Sequence, residues 1–429
     1  MAENSENECN CQSGPFYLAK DGQTIEEYAR KLGAGGKDGV NREYVTLTRA
    51  DIIDACSGFK ANPTKNRYVD VKCLDQQRII LRDKSAKHEY VHANYIHGYR
   101  HENSFIGTQG PLEDTLIDFW RMIWQEKCVV IVALTKLIEG GKLKCSQYWP
   151  AREGKTIKYG HVTVQTRQIS TARNKSFTRS DLVLMHIPTK EVRYVAHLLY
   201  LQWPDFGTPS NSQVFLRFLN VCNQTQAEMV KDVQFWQACP KGPPMVVHCS
   251  AGVGRTGTLI ALDILIDMLR DTGRLDVPGV IHKIRCQRAS AVQKAEQYVF
   301  LNLALLEYAM QNNLLDPDQV DLDKFATESA LNQMQNANVK VVHRNSQSKG
   351  SSQFVQKGGP DQFLSPLNTP EPSKDNMRQI STTSTTRKDK RKKVQIDADR
   401  SRTSVRRAQK SRSEAGSKSK QQRSKRRTT

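Results

Sequence analysis

Between residues 41 and 312 the chain alternates short apolar runs with longer stretches in which apolar residues recur at helical spacing. "CVVIVALT" (128–135), "YVAHLLYLQWP" (194–204) and "PPMVVHC" (243–249) read as buried strands. "LIDFWRMIWQE" (116–126) reads as an amphipathic helix. In "TLIALDILIDMLR" (258–270), Leu259, Ile260, Leu262, Ile264, Leu265 and Met268 fall at roughly helical intervals. "AEQYVFLNLALLEYAM" (295–310) is apolar enough to close a core. Strands interleaved with helices predict an α/β domain with a central sheet.

The flanks follow other patterns. Residues 1–40 form a polar extension, with a short helix expected in "TIEEYARKL" and a flexible turn or linker in "GAGGKDG" at 33–39. That run is no Walker A loop, because the glycine spacing fails and Asp38 follows Lys37 where Ser or Thr is required. Beyond residue 313 the periodicity fades, and no aromatic residue occurs from Leu364 onward. Such a segment buries too little apolar surface to offset its ordering entropy, so 313–429 is expected to be largely disordered. Ser-Pro and Thr-Pro steps in "LSPLNTPEP" (364–372) offer sites to proline-directed kinases.

Composition narrows the setting. A chain of 429 residues with 38% hydrophobic content can build one large core. No apolar run is long enough for a transmembrane segment, and "MAENSENECNCQSG" is too polar and acidic for a signal peptide. The ten scattered cysteines therefore read as reduced thiols of a cytoplasmic protein, and the Cys9/Cys11 pair lacks the second pair a zinc site needs. Charge is uneven: residues 387–429 hold 18 Lys/Arg against 4 Asp/Glu, a net +14 of the chain's +20. A basic tail of this kind suits polyanion contact (nucleic acid or an anionic membrane) or nuclear import, or serves as a solvated tail only.

The chemistry concentrates in "VVHCSAGVGRTGT" (246–258). A lone thiol, Cys249, sits where a strand gives way to a helix, followed by Ser250, Ala251, Gly252, Val253, Gly254 and then Arg255. Glycines let the backbone curl its N–H groups inward, and a helix N-terminus attracts anions. Arg255 adds a planar fork for phosphate oxygens, and the same field favours the Cys249 thiolate. The loop can thus hold a phosphate and a nucleophile in one cup. Transfer of a phosphoryl group to sulfur needs an acid for the leaving oxygen, and "QWPDFGTP" (202–209) offers Asp205, with Trp203 as a hinge. Hydrolysis of the thiophosphate needs a positioned water, and "VQKAEQYVFL" (292–301) offers the amides of Gln293 and Gln297. In "KNRYVDV" (65–71), Tyr68 presents a ring to stack on an aromatic substrate and Asp70 an acceptor for substrate backbone.

"HCSAGVGRTGT" resembles the phosphate-binding loop of the non-receptor type protein tyrosine phosphatases. "EYVHANYIHGY" (89–99), "FIGTQGPLEDTLIDFWRMIW" (105–124) and "KLKCSQYWP" (142–150) resemble framework blocks of that family, in its order. The blocks are also similar to those of the tyrosine phosphatases of insect-parasitoid bracoviruses. The resemblance covers about 41–312 and implies a single phosphatase domain with a mixed, twisted sheet flanked by helices. It implies Cys249 as nucleophile and Asp205 as acid, then base, on a mobile loop. Gln293, favoured, and Gln297 would hold the water. Glu139 would orient Arg255, and Lys144 would line the pocket. His248 and Thr256 would flank the cup, with Thr256 donating to the departing thiolate. No metal or other cofactor is implied, and the substrates would be phosphotyrosine-containing proteins. Two departures stand out: Lys294 replaces the usual threonine of the glutamine loop, and Val69 stands where several members carry a basic residue. A pseudophosphatase or substrate-sequestering module, targeted by its tail, is the alternative. A phosphoinositide enzyme is disfavoured, because residues 250–254 add no cation to the cup.

Overall fold

In the computed structural model of the chain, residues 15–16, 22–47, 55–83, 88–231 and 242–319 are described. The expected basic, disordered tail lies outside the described residues from 320 on. A nine-stranded sheet runs through the centre. Its strands in chain order are β1 (Arg78–Ile80), β2 (Tyr90–Gly98), β3 (His101–Thr108), β4 (Val130–Ala133), β5 (Thr156–Tyr159), β6 (Val162–Thr171), β7 (Phe177–His186), β8 (Val192–Tyr200) and β9 (Met245–His248). Their spatial order is β1-β2-β3-β9-β4-β8-β7-β6-β5. β3, β9, β4 and β8 run parallel, and antiparallel strands complete both flanks. The sheet is therefore mixed, as expected.

The parallel strands are short and wholly apolar because both faces are covered. Val130 and Val132 of β4 face one core with Met245 and Val247 of β9, while Ile131 and Val246 face the other. The first core is closed by α1 (Ile25–Thr46), α4 (Ser212–Lys231), α5 (Gly254–Thr272), α6 (Val277–Gln287) and α7 (Ala295–Gln311). The second is closed by α3 (Leu116–Gln125), whose Phe119, Trp120, Met122 and Ile123 are buried; α2 (Ser57–Ala61) is a short turn with no buried residue.

The N-terminal region departs from expectation. α1 starts at a capping box between Thr24 and Glu27 and continues through the "GAGGKDG" run, with a single left-handed residue, Gly36 (φ +54°), at a kink. The run is thus two helical segments that turn at Gly36 rather than a flexible linker, because Leu32 before it and Val40 after it both anchor in the core. The boundary expected at residue 40 falls inside this helix. At the other end Leu315, past the boundary expected at 312, is also buried in the first core. Cysteine usage differs as well: among the described residues Cys73, Cys128, Cys145, Cys222 and Cys249 are free thiols, whereas Cys286 is disulfide-bonded.

The topology sets the site. The aligned carboxyl ends of the four parallel strands are Thr108, His248, Ala133 and Leu199. The segments that follow are residues 109–111, the Cys249 loop, the 134–144 hairpin and the Asp205 loop. In sheets of this kind ligands bind beyond the carboxyl ends of the strands.

Candidate active site

Cys249 leaves β9 and is 5% exposed, at the base of the 249–254 loop. Its Sγ accepts the Gly252 N–H at 3.2 Å. Gly252 has φ +72°, and a Cβ there would lie 2.0 Å from the Thr108 carbonyl oxygen, so only glycine fits. The loop feeds directly into α5, whose first turn leaves N–H groups without helical partners. Amides and helix dipole therefore converge on the space beside the sulfur.

Arg255, in that first turn, forms a two-pronged pair with Glu139, at 2.7 Å and 2.9 Å. It also donates to the carbonyls of Leu134 (3.0 Å) and Pro204 (3.1 Å), and lies over the Trp203 ring. Glu139 is buried on a two-stranded hairpin (Ile138–Glu139 with Lys142–Leu143), where Thr135 Oγ1 and the Lys136 N–H also donate to it. The guanidinium is thus held in one plane with its edge committed.

Asp205 is exposed, and its Oδ2 accepts the Gly140 N–H at 2.6 Å, tying its loop to the hairpin. Trp203 is buried among Phe215 and Phe300 and donates from Nε1 to the Gly207 carbonyl at 3.1 Å. The loop is therefore anchored on one side and open on the other. Tyr68 lies in a loop, and its hydroxyl lies 2.8 Å from Ser250 Oγ, which donates to the Lys144 carbonyl at 2.9 Å. Lys144 is half-buried at the hairpin's end, and Asp70 is exposed beside Tyr68.

Gln297 is buried against the cup: a Cβ on Gly254 would come within 2.8 Å of its Nε2. Its Oε1 accepts the Lys294 N–H that begins α7. Gln293 is exposed and forms no side-chain hydrogen bond among the described residues. The preceding Val292 has φ +52°, unusual for a β-branched residue. Hydrogen bonds to Val253, Tyr44 and Arg285 hold it there. Thr256 Oγ1 is buried beneath the cup with no partner among the described residues.

Beside the thiol, His248 Nδ1 lies 3.0 Å from the Cys249 carbonyl, and its Nε2 lies 2.7 Å from Tyr148 Oη, which lies 2.7 Å from His197 Nε2. One assignment satisfies the chain: Nδ1–H of His248 donates to the carbonyl, Tyr148 donates to His248, and His197 donates to Tyr148. It leaves His197 Nδ1 bare, and that atom is indeed buried without a partner. Both rings are neutral, burial having lowered His248 to about 4 and His197 to about 3. Burial pushes up the thiols of Cys73, Cys128, Cys145 and Cys222, Cys145 to about 12.

Several supporting residues carried no sequence signal. Arg288, fully buried, donates to the carbonyls of Gly252 (3.0 Å) and Ala251 (3.1 Å) and to Asn94 Oδ1 (2.8 Å), bracing the cup from behind. Arg67 donates to the carbonyls of Gly110 and Pro111, fastening the Tyr68 loop to the end of β3. Arg288 in "IRCQRAS" gives no spacing to read, and only the fold brings it under the loop.

A thiol at a helix N-terminus, a clamped arginine and a carboxylate on an adjoining loop thus meet at one end of a mixed α/β sheet, an arrangement able to take an anion. The Protein-tyrosine phosphatase family profile matches residues 62–307, more than half of the chain, and the chain belongs to that family. It is 38% identical over 302 residues to human tyrosine-protein phosphatase non-receptor type 9, covering 69% of this chain and 50% of that protein. Bovine receptor-type tyrosine-protein phosphatase F is 38% identical over 259 residues, 59% of this chain and 13% of its own length. Human receptor-type tyrosine-protein phosphatase eta is 35% identical over 289 residues, 66% and 20% respectively. The chain spans at most about half the length of these relatives.

Proposed function

We propose that the chain is a protein-tyrosine phosphatase working through a cysteinyl-phosphate. The Cys249 thiolate attacks phosphorus, the bond to the tyrosine oxygen breaks, and Asp205 gives that oxygen its proton. Water held by Gln293 and Gln297 then attacks phosphorus and passes a proton to Asp205. The P–S bond breaks, releasing phosphate and the thiolate. Loop amides and Arg255 carry the equatorial oxygens, Glu139 fixes the orientation of the Arg255 guanidinium, and Thr256 donates to the leaving sulfur. Tyr68 and Lys144 line the wall for the phenyl ring, Asp70 takes substrate backbone, and His248 supports the Cys249 carbonyl. The catalytic body is proposed to extend from α1 to residue 319, wider than the 41–312 expected from sequence.

The observation that carries this reading is the Gly252 N–H aimed at Cys249 Sγ in a loop that ends in a clamped Arg255. Turnover of a small aryl phosphate tests it. The wild type should exceed Cys249→Ser by several orders of magnitude. Equal rates would leave only a phosphotyrosine-binding module.

The basic stretch from residue 387 supports a separate proposal of polyanion contact and nuclear entry from the cytoplasm. Among the described residues no helix is long and apolar enough to cross a membrane. Binding of the full chain to heparin or DNA should weaken steeply with salt and vanish on removal of 387–429. Unchanged cellular distribution of the shortened chain would remove the targeting role.

A further inference from the structure

Two residues of the loop between α6 and α7 are left-handed without being glycine: Ser290 (φ +61°) and Val292 (φ +52°). For a β-branched residue this is a true outlier, and such strain persists only where neighbouring contacts impose it. Here the contacts come from three elements. The Val292 N–H donates to the Val253 carbonyl of the cup at 3.1 Å. The Val292 carbonyl accepts two donors, Tyr44 Oη at 3.1 Å from the last turn of α1 and an Arg285 guanidinium nitrogen at 3.1 Å from α6. Arg285 also donates to the Ala291 carbonyl at 3.0 Å and lies over the Tyr44 ring. The first turn of α5 presses close as well: a Cβ on Gly257 would lie 2.6 Å from the Val292 nitrogen. Val292 is fully buried, yet the next residue, Gln293, is exposed and forms no side-chain hydrogen bond among the described residues.

We propose that Tyr44 is a positioning residue for Gln293, and through it for the hydrolytic half of the reaction. The inference rests on the phosphatase reading above, in which Gln293 holds the attacking water. A peptide unit is planar, so the plane of the Val292 carbonyl also contains the Gln293 N–H and Cα. Two donors occupy both lone pairs of that carbonyl and fix the plane. Gln293 has no side-chain anchor of its own, so its direction is set from behind, by this peptide. The Val292 N–H ties the same residue to the cup, which keeps Gln293 in register with Cys249. Tyr44 itself touches neither phosphate nor water. In the step it serves, the water oxygen bonds to phosphorus, the P–S bond breaks with its electron pair leaving on sulfur, and the water's proton passes to Asp205.

The test uses the full chain and an aryl phosphate whose phenol is a good leaving group, so that hydrolysis of the cysteinyl-phosphate limits kcat. Tyr44→Phe keeps the ring against Arg285 and Tyr298 and removes one donor. Rapid mixing and acid quench should show phosphate leaving Cys249 more slowly than in the wild type, on the order of three- to tenfold. The initial burst of phenol should grow, and kcat should fall while kcat/KM, which reports formation of the intermediate, stays unchanged. A loss of folded enzyme would instead lower both alike. Arg285→Lys, which keeps the charge and loses the fork, should give the same signature and stands in if Tyr44→Phe does not fold. Wild-type decay of the cysteinyl-phosphate in the folded variant, or equal falls in kcat and kcat/KM, overturns the inference and leaves the phosphatase reading standing. No turnover of the aryl phosphate by the wild type overturns that reading and the inference with it.

Discussion

Arg288 holds a guanidinium wholly inside the protein, where an unpartnered cation is costly. Its partners are two carbonyls of the cup and the side chains of Asn94 and His92. Arg288→Met keeps the bulk but strands these acceptors, at about 1–3 kcal/mol for each buried group left unpaired. We expect a loss of about 3 kcal/mol in urea unfolding together with a fall in aryl phosphate turnover; an unmoved midpoint would show that the cup stands without it. Asp205→Ala is expected to act on chemistry instead, because the carboxylate is exposed and its one hydrogen bond among the described residues is from the Gly140 N–H. Its kcat should drop on the order of 10²–10⁴-fold with little change in KM. The variant should retain phosphotyrosyl substrates in pull-down, and an unaltered kcat would assign the proton to another group. Gly252→Ala should remove turnover altogether, since its methyl group meets a backbone oxygen that cannot retreat.

At the scale of elements, β2, β8 and β9 each carry a buried neutral histidine: His92 and His197 lowered to about 3, His248 to about 4. An unfolded histidine titrates near 6.5. The unfolded chain therefore binds more protons than the folded one between these values. The stabilisation is complete above pH 6.5 and is lost as pH falls toward 4. Each histidine contributes a slope of up to about 1.4 kcal/mol per pH unit. Urea midpoints measured at pH 7, 6 and 5 should fall in that order, and a flat profile would contradict neutral burial. The elements were also what the chain made easiest to read. β4, β9, α3, α5 and α7 all lie where short apolar runs or helical spacing put them. The cup was legible because a thiol, glycines and an arginine at fixed spacing have few other uses. Arg288, Arg67 and Tyr148 were not, since each acts through contacts between residues dozens to hundreds of positions apart. The glycine run marks the kink at Gly36, but not that helix resumes beyond it, which core contacts of Leu32 and Val40 on either side bring about.

For the whole molecule, that correction moves the edge of the folded body. A chain beginning at residue 41 would lose Ile25, Tyr28, Ala29, Leu32 and Val40 from the first core. At roughly 1.5–3 kcal/mol for each large apolar side chain, the loss rivals the total stability of a typical domain. Chains starting at 41 should melt far below those starting at 15, and equal melting temperatures would restore the shorter boundary. The four parallel strands divide the molecule in another way. In the proposed reaction their carboxyl ends hold the site, which leaves their amino ends free of it. The turn at 187–191, between β7 and β8, lies at the entry to β8 and is solvent-facing from Pro188 to Glu191. A foreign module spliced there would ride on the pole opposite the reaction, whereas the same graft in the 172–176 turn would crowd the catalytic pole. The protein thus has a face on which a lineage, or an engineer, can add cargo without retuning the chemistry.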